Sequence, residues 1–150
     1  LIFNVTWSYA LARPVFNVAF GRESPENFLR RNETNYDLFK FVNENLSDDS
    51  LVLLQGIVRG YYCDRQYMWD HPHQGTIRYE DYENAEKLYE RMRDLEITHV
   101  ARMIQVPPSR TYLGYPQYFA DEFHEDFRNR YLRLMWRDQN YALFSLIDTS

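Results

Sequence analysis

The sequence predicts an α/β domain: a small, mostly parallel or mixed sheet of three or four strands, with helices packed on its faces in Rossmann-like layers. Three observations predict it. Short apolar runs bounded by turns read as buried strands at Leu51–Leu54, Ile97–Ile104 and Tyr141–Ile147. Stretches with apolar residues at helical spacing lie between and before them. Helices alternating with buried strands are the pattern of a layered α/β fold.

The elements follow in order. Ser24-Pro25-Glu26 is a helix start: a hydroxyl able to accept from a free N–H, a proline in the first turn, and an acid at the positive end. A short helix is expected from Pro25 to about Arg31. A second opens at Thr34 and carries Tyr36, Leu38, Phe39, Val42 and Leu46 on one face, before the polar turn Ser47–Ser50. The strand Leu51–Leu54 follows, and Gly56–Gln74 reads as an irregular loop. Asp81 opens a third helix with Ala85, Leu88, Tyr89, Met92 and Leu95 inward. The strand Ile97–Ile104 then completes a strand–helix–strand unit, expected to be a right-handed parallel crossover. Residues 105–118 form a loop. Phe119, Phe123, Phe127, Tyr131, Leu134 and Met135 predict one long helix, and Asp138-Gln139-Asn140 turns the chain into the closing strand. Residues 1–20 read as an apolar arm or juxtamembrane lead-in, and residues 21–150 as one domain.

Composition bounds the function. The chain has 150 residues, of which 17% are aromatic, including 13 tyrosines. Its net charge of −5 disfavours nucleic acid as a partner, because such binding needs a net basic face. There is one cysteine, Cys63, so no internal disulfide framework exists. No apolar run is long enough for a complete membrane span. The first residue is Leu rather than Met, which suggests a piece of a longer protein.

The chemistry-bearing residues concentrate in Gly56–Gln74. Gly56 and Gly60 follow a strand, but a dinucleotide fingerprint needs a third glycine and a helix opening directly after it. His71 and His73, with Asp70, Asp64 and Cys63, lack the fixed spacing of a metal site, so a solvated loop is expected and no metal or cofactor. There is no nucleophile elbow, and Cys63 has no spacing-defined partner, so an inert thiol is expected. The acids of the third helix alternate with Lys87, Arg91 and Arg93, the pattern of a solvated face. Sequons occur at Asn4, Asn32 and Asn45. The tyrosines of 112–119 could form an interface, or simply cap the core.

Several phrases carry a resemblance. Gly21, Ser24, Phe28 and Leu29 precede a helix that ends in Val42-Asn43-Glu44-Asn45-Leu46. A polar turn leads to Val52–Gly56 and then to Arg59–Arg65, an Arg-Gly-Tyr-Tyr-x-Asp-Arg phrase. Met92, Leu95 and Ile97-Thr98-His99-Val100 form a helix-to-strand transition. Across about residues 20–104 this resembles the region that follows the membrane bundle in prokaryotic polytopic glycosyltransferases related to dolichyl-phosphate-mannose protein mannosyltransferases. The resemblance implies a domain on the extracytoplasmic side, in the periplasm or at the cell exterior, of a membrane enzyme that uses a lipid-phosphate-linked sugar. Partners would be the enzyme's own membrane-embedded region and a lipid-linked sugar or glycan acceptor. The family's catalytic carboxylate lies in a loop beside the membrane bundle, so no catalytic residue is carried over.

The expected ligand contacts are Arg59, Tyr61, Tyr62, Arg65 and Trp69, on the loop leaving the carboxyl end of the first strand. Arginine there would pair with a phosphate or carboxylate, and the aromatics would stack on a sugar. The alternative is a free-standing soluble α/β domain that binds a ligand or another protein.

Overall fold

The structure, a computed structural model, describes residues 16–70, 76–82, 84–104 and 122–148. The chain divides into two compact units, Leu1–Asp37 and Leu38–Ser150.

In the first unit a helical turn at residues 16–19 ends on Gly21, whose N–H returns to Val18 O and whose φ of 67° lets the N–H groups of Arg22 and Glu23 return to Asn17 O. Helix α1 spans Pro25–Asn32. Its start is the expected one: the Ser24 side chain accepts from the Asn27 N–H at 3.2 Å, and proline occupies the first turn. Arg31 forms a two-pronged pair with Glu23, and Arg30 bonds Asp37 at 2.8 Å. Helix α2, Tyr36–Asn45, begins at the boundary between the units.

The second unit is built on one five-stranded sheet. Its strands are β1 (Leu51–Gln55), β2 (Gln66–Asp70), β3 (His99–Met103), β4 (Leu132–Arg137) and β5 (Tyr141–Leu146). The spatial order is β2-β1-β3-β5-β4. β1 is parallel to both β2 and β3, whereas β5 is antiparallel to β3 and to β4. The sheet is therefore mixed, as expected, and the β1–β3 parallel pair is present. Helix α3 is Ala85–Asp94 and α4 is Glu122–Tyr131.

Alternation along β1 divides the core. Val52 and Leu54 face one side, with Leu38, Phe39 and Val42 of α2 and with Ala101 and Leu143. Leu53 faces the other, with Leu88 and Met92 of α3, Phe127 and Tyr131 of α4, and Val100. Helices thus cover both faces of the sheet, which is why β1 reads as a continuous apolar run. Tyr89 and Tyr131 stack with ring centroids 4.4 Å apart, joining α3 to α4.

Four expectations are corrected. The sheet has five strands, not three or four. One extra strand is β2, inside the stretch read as an irregular loop. The β1–β2 connection, residues 56–65, contains no helix. The other is β4, which was read as the end of a long helix. β4 pairs antiparallel with β5 across the turn, with a bulge between Leu134 and Trp136, so that Leu132 packs on the α3–α4 cluster and Trp136 on the α2 cluster. Asp138 Oδ1 fixes that turn by accepting from the Asn140 and Tyr141 N–H groups, both at 2.7 Å. Finally, the third helix begins four residues after Asp81. Asn84 accepts from the Lys87 N–H and caps it, while Tyr79–Asp81 form a separate 3-10 turn.

Candidate functional site

The carboxyl ends of the three parallel strands meet in register. Gln55 of β1 stands opposite Asp70 of β2 on one side and Arg102 of β3 on the other. Gln55 and Asp70 are the last residues of their strands and Arg102 is the last but one of β3, and each shares the parity of Leu53 and Val100, on the α3–α4 face. The chain leaves β1 toward β2 and returns to β3 on the opposite side of β1. The ends of β1 and β3 are thus a topological switch point, where open α/β sheets place ligands.

Three of the side chains at this edge are buried and bonded together. The Tyr79 hydroxyl donates to Asp70 Oδ2, and Gln55 Nε2 donates to the Tyr79 oxygen at 2.8 Å. Asp70 is 3% exposed. Burial pushes its carboxyl up to about 6, against the downward pull of the bonds from Tyr79 and Gln55. The expectation of a solvated loop is thereby corrected at Asp70. Its partner is a phenol from the 3-10 turn, because the β2 pairing turns the carboxylate inward. Beside this trio lies a small cavity of about 10 Å³, lined by Gln55, Arg102, Phe127, Arg128, Leu132 and Phe144 among others. A space this size admits about one water.

The expected contact residues fall in two groups. Arg59 and Tyr61 lie exposed on the loop after β1, Tyr61 being 83% exposed. Trp69 is 39% exposed on the outer strand β2, its ring 5.6 Å from that of Tyr67. Tyr62 and Arg65 are drawn inward instead. Tyr62 packs against the α2 side of the core. The Arg65 guanidinium donates to Leu46 O at 3.0 Å and to Asn43 O at 2.7 Å, with Asp48 at 3.4 Å. It caps the carboxyl end of α2, where unpaired carbonyls and the helix dipole favour a cation. The loop is closely packed at Gly60, where a Cβ would stand 2.6 Å from the Tyr67 ring.

Cys63 is half-buried, its thiol pushed up by desolvation and donating weakly to Arg65 O at 3.6 Å, which agrees with an inert thiol. Asn32 and Asn45 are exposed, each at the last position of a helix with its amide on the carbonyl four residues back. His71, His73, Asn4 and the tyrosines of 112–119 lie outside the described residues. Among the described residues, no cluster of histidine, cysteine and acidic side chains could hold a metal ion, and no helix is long and apolar enough to cross a membrane.

The Gln55–Asp70–Tyr79–Arg102 group was not anticipated from the sequence. Its signal is a polar residue at or next to the end of each strand, as in LVLL-Gln, QYMW-Asp and HVA-Arg-Met.

No protein-family model matches the chain. No curated protein matches it. Among solved structures, it is similar to the C-terminal globular domain of an oligosaccharyltransferase from Archaeoglobus fulgidus. The two share 14% identity and a TM-score of 0.46, over 74% of this chain and 95% of the other. At that level of likeness, the reading of the site rests on this chain's own residues.

Proposed function

We propose that the chain is a non-catalytic extracytoplasmic domain of an integral-membrane glycosyltransferase that uses a lipid-phosphate-linked sugar, and that it helps to bind acceptor or donor. The observation that carries the ligand role is the pairing of exposed Arg59 and Tyr61 on one loop at the carboxyl end of β1. A guanidinium offers a planar fork to phosphate, and a tyrosine face offers a stacking surface to a sugar. Trp69, on the neighbouring outer strand, adds a second aromatic surface. The parent enzyme is inferred from the resemblance in residues 20–104. Two of its phrases are physically joined, since Asn43 of one and Arg65 of the other are bonded. The reading is of the same broad kind as the oligosaccharyltransferase domain named above and does not rest on it.

Two observations test it. Coding DNA adjoining these 150 residues should encode several apolar spans of about 20 residues; an open frame without them would overturn the reading. Given a polyprenyl-phosphate sugar and an acceptor, the isolated chain should transfer nothing. Turnover by the isolated chain would overturn the non-catalytic assignment.

A further inference from the structure

We propose that Arg102 and Arg128 form a binding site for a phosphate group at the mouth of the cavity where β1 and β3 end. The site uses none of the Arg59–Trp69 residues, and it does not depend on the function proposed above.

β3 carries an arginine among apolar neighbours. Arg102 occupies a position of β3 with the same parity as Val100, so it faces the α3–α4 side of the sheet. It is half-buried and lines the cavity with Gln55, Phe127 and Phe144. A cation in such a place is ordinarily matched by an anion, because desolvating it alone is costly. Among the described residues, Arg102 has no hydrogen bond or ion pair. Tyr79 acts on it favourably, while Arg128, of the same sign, acts against it and lines the same cavity.

Among the described residues, Asp70 and Glu125 are already partnered. Asp70 accepts from Tyr79 within the buried trio. Glu125 pairs with Arg128 at 4.0 Å, but both are well exposed, and such a pair is weak and readily exchanged. Two cations from separate elements, β3 and α4, therefore converge on one opening at the switch point of the sheet.

The chemistry of the pair favours phosphate. A carboxylate would neutralise one arginine, whereas a phosphate monoester dianion matches both and accepts from two guanidinium forks. The cavity fixes the pose. With about 10 Å³ it admits a single oxygen-sized group, so one terminal oxygen enters and the rest of the ligand stays at the rim. Phe127 and Phe144 line the same cavity and lower the local dielectric, which strengthens the contact. The phosphate could belong to a soluble ester or to a lipid headgroup.

The test uses the 150-residue chain with two probes. One is inorganic pyrophosphate, followed by titration calorimetry at low salt. The other is vesicles of phosphatidylcholine with and without phosphatidic acid, followed by co-sedimentation. Saturable binding is expected to at least one probe. It should weaken at least ten-fold in Arg128→Gln and vanish in Arg102→Gln. Pyrophosphate binding assigns a soluble ester, and binding to the phosphatidic acid vesicles alone assigns a headgroup. If circular dichroism shows that Arg102→Gln does not fold, Arg128→Gln, at an exposed position, decides. Binding to neither probe, or binding undiminished in Arg128→Gln, would overturn the proposal.

Discussion

Asn43 and Arg65 tie each other's segments down. The Asn43 amide donates to Tyr62 O and accepts from the Asp64 N–H, both at 2.8 Å, while Arg65 donates to the Asn43 carbonyl at 2.7 Å. The last turn of α2 and the loop between β1 and β2 are thereby one bonded unit, and Arg59 and Tyr61 project from that loop. Hydrogen bonds from a charged donor are worth about 1.5–3 kcal/mol each, and an orphaned partner adds a desolvation cost. Arg65→Ala should lower stability by roughly 3 kcal/mol, and Asn43→Ala by roughly 2 kcal/mol. Arg65→Lys should not rescue the loss, since an ammonium lacks the fork that spans two carbonyls. Urea unfolding of the three variants checks this. A change under about 0.5 kcal/mol for Arg65→Ala would mean that the clamp is not a stabilising contact.

Asp70 gives the domain a distinctive pH response. Its carboxyl is raised to about 6 in the folded chain, while an unfolded aspartate titrates near ~3.9. The folded state therefore binds more protons between those values. The contribution is fully present below about pH 4 and is lost as pH rises through about 6. The shift is worth about 3 kcal/mol. Asp70→Asn keeps an acceptor for Tyr79 and removes the titration. The stability difference between Asp70→Asn and the parent chain should thus move by about 2 kcal/mol in favour of the variant between pH 4 and pH 7. A constant difference across that range would contradict the buried-acid geometry.

Glu96 closes α3 in a left-handed conformation, with φ of 59°. Its N–H returns to Arg93 O, and that of Ile97 returns to Met92 O, the paired bonds of a Schellman motif. Ile97 and Met92 belong to the same core cluster, so the motif also sets where β3 begins. A left-handed non-glycine residue costs about 1–2 kcal/mol, part of which glycine gives back as chain entropy. Glu96→Gly should raise stability by roughly 0.5–1 kcal/mol, read as a higher thermal midpoint. Glu96→Ala should not. A lower midpoint for the glycine variant would show that Glu96 has a role beyond closing the helix.

The legible parts of the fold were those in which one physical signal dominated. Ser24-Pro25 announced α1, and the four apolar residues after Ser50 announced β1. The inner face of α3 was read correctly from Ala85, Leu88, Tyr89 and Met92. Boundaries failed where signals competed. Leu134 and Met135 extended the i,i+4 series of Phe127 and Tyr131, and the bulge between Leu134 and Trp136 leaves β4 without the unbroken alternation that marks a strand. β2 was hidden because its residues are amphipathic. Tyr67 and Trp69 carry polar tips, and an outer strand needs only one apolar partner. Within the expected ligand set, Arg59 and Tyr61 were placed on a surface, but the commitment of Arg65 to α2 depends on a contact across 22 residues that spacing cannot reveal. The buried trio was missed for the same reason, since Gln55, Asp70 and Tyr79 meet only once β1 and β2 are in register and the 3-10 turn packs against them.

The most direct measurement is sugar transfer by the full-length protein bearing Arg59→Ala and Tyr61→Ala together, with Arg65 left intact so that the loop stays anchored. The donor is a polyprenyl-phosphate sugar, and initial rates are taken across donor and acceptor concentrations. The expected result is a rise of roughly ten-fold or more in KM for one substrate, about 1.4 kcal/mol of binding, with kcat changed little. Unchanged kinetics for both substrates would contradict the ligand role assigned to this surface.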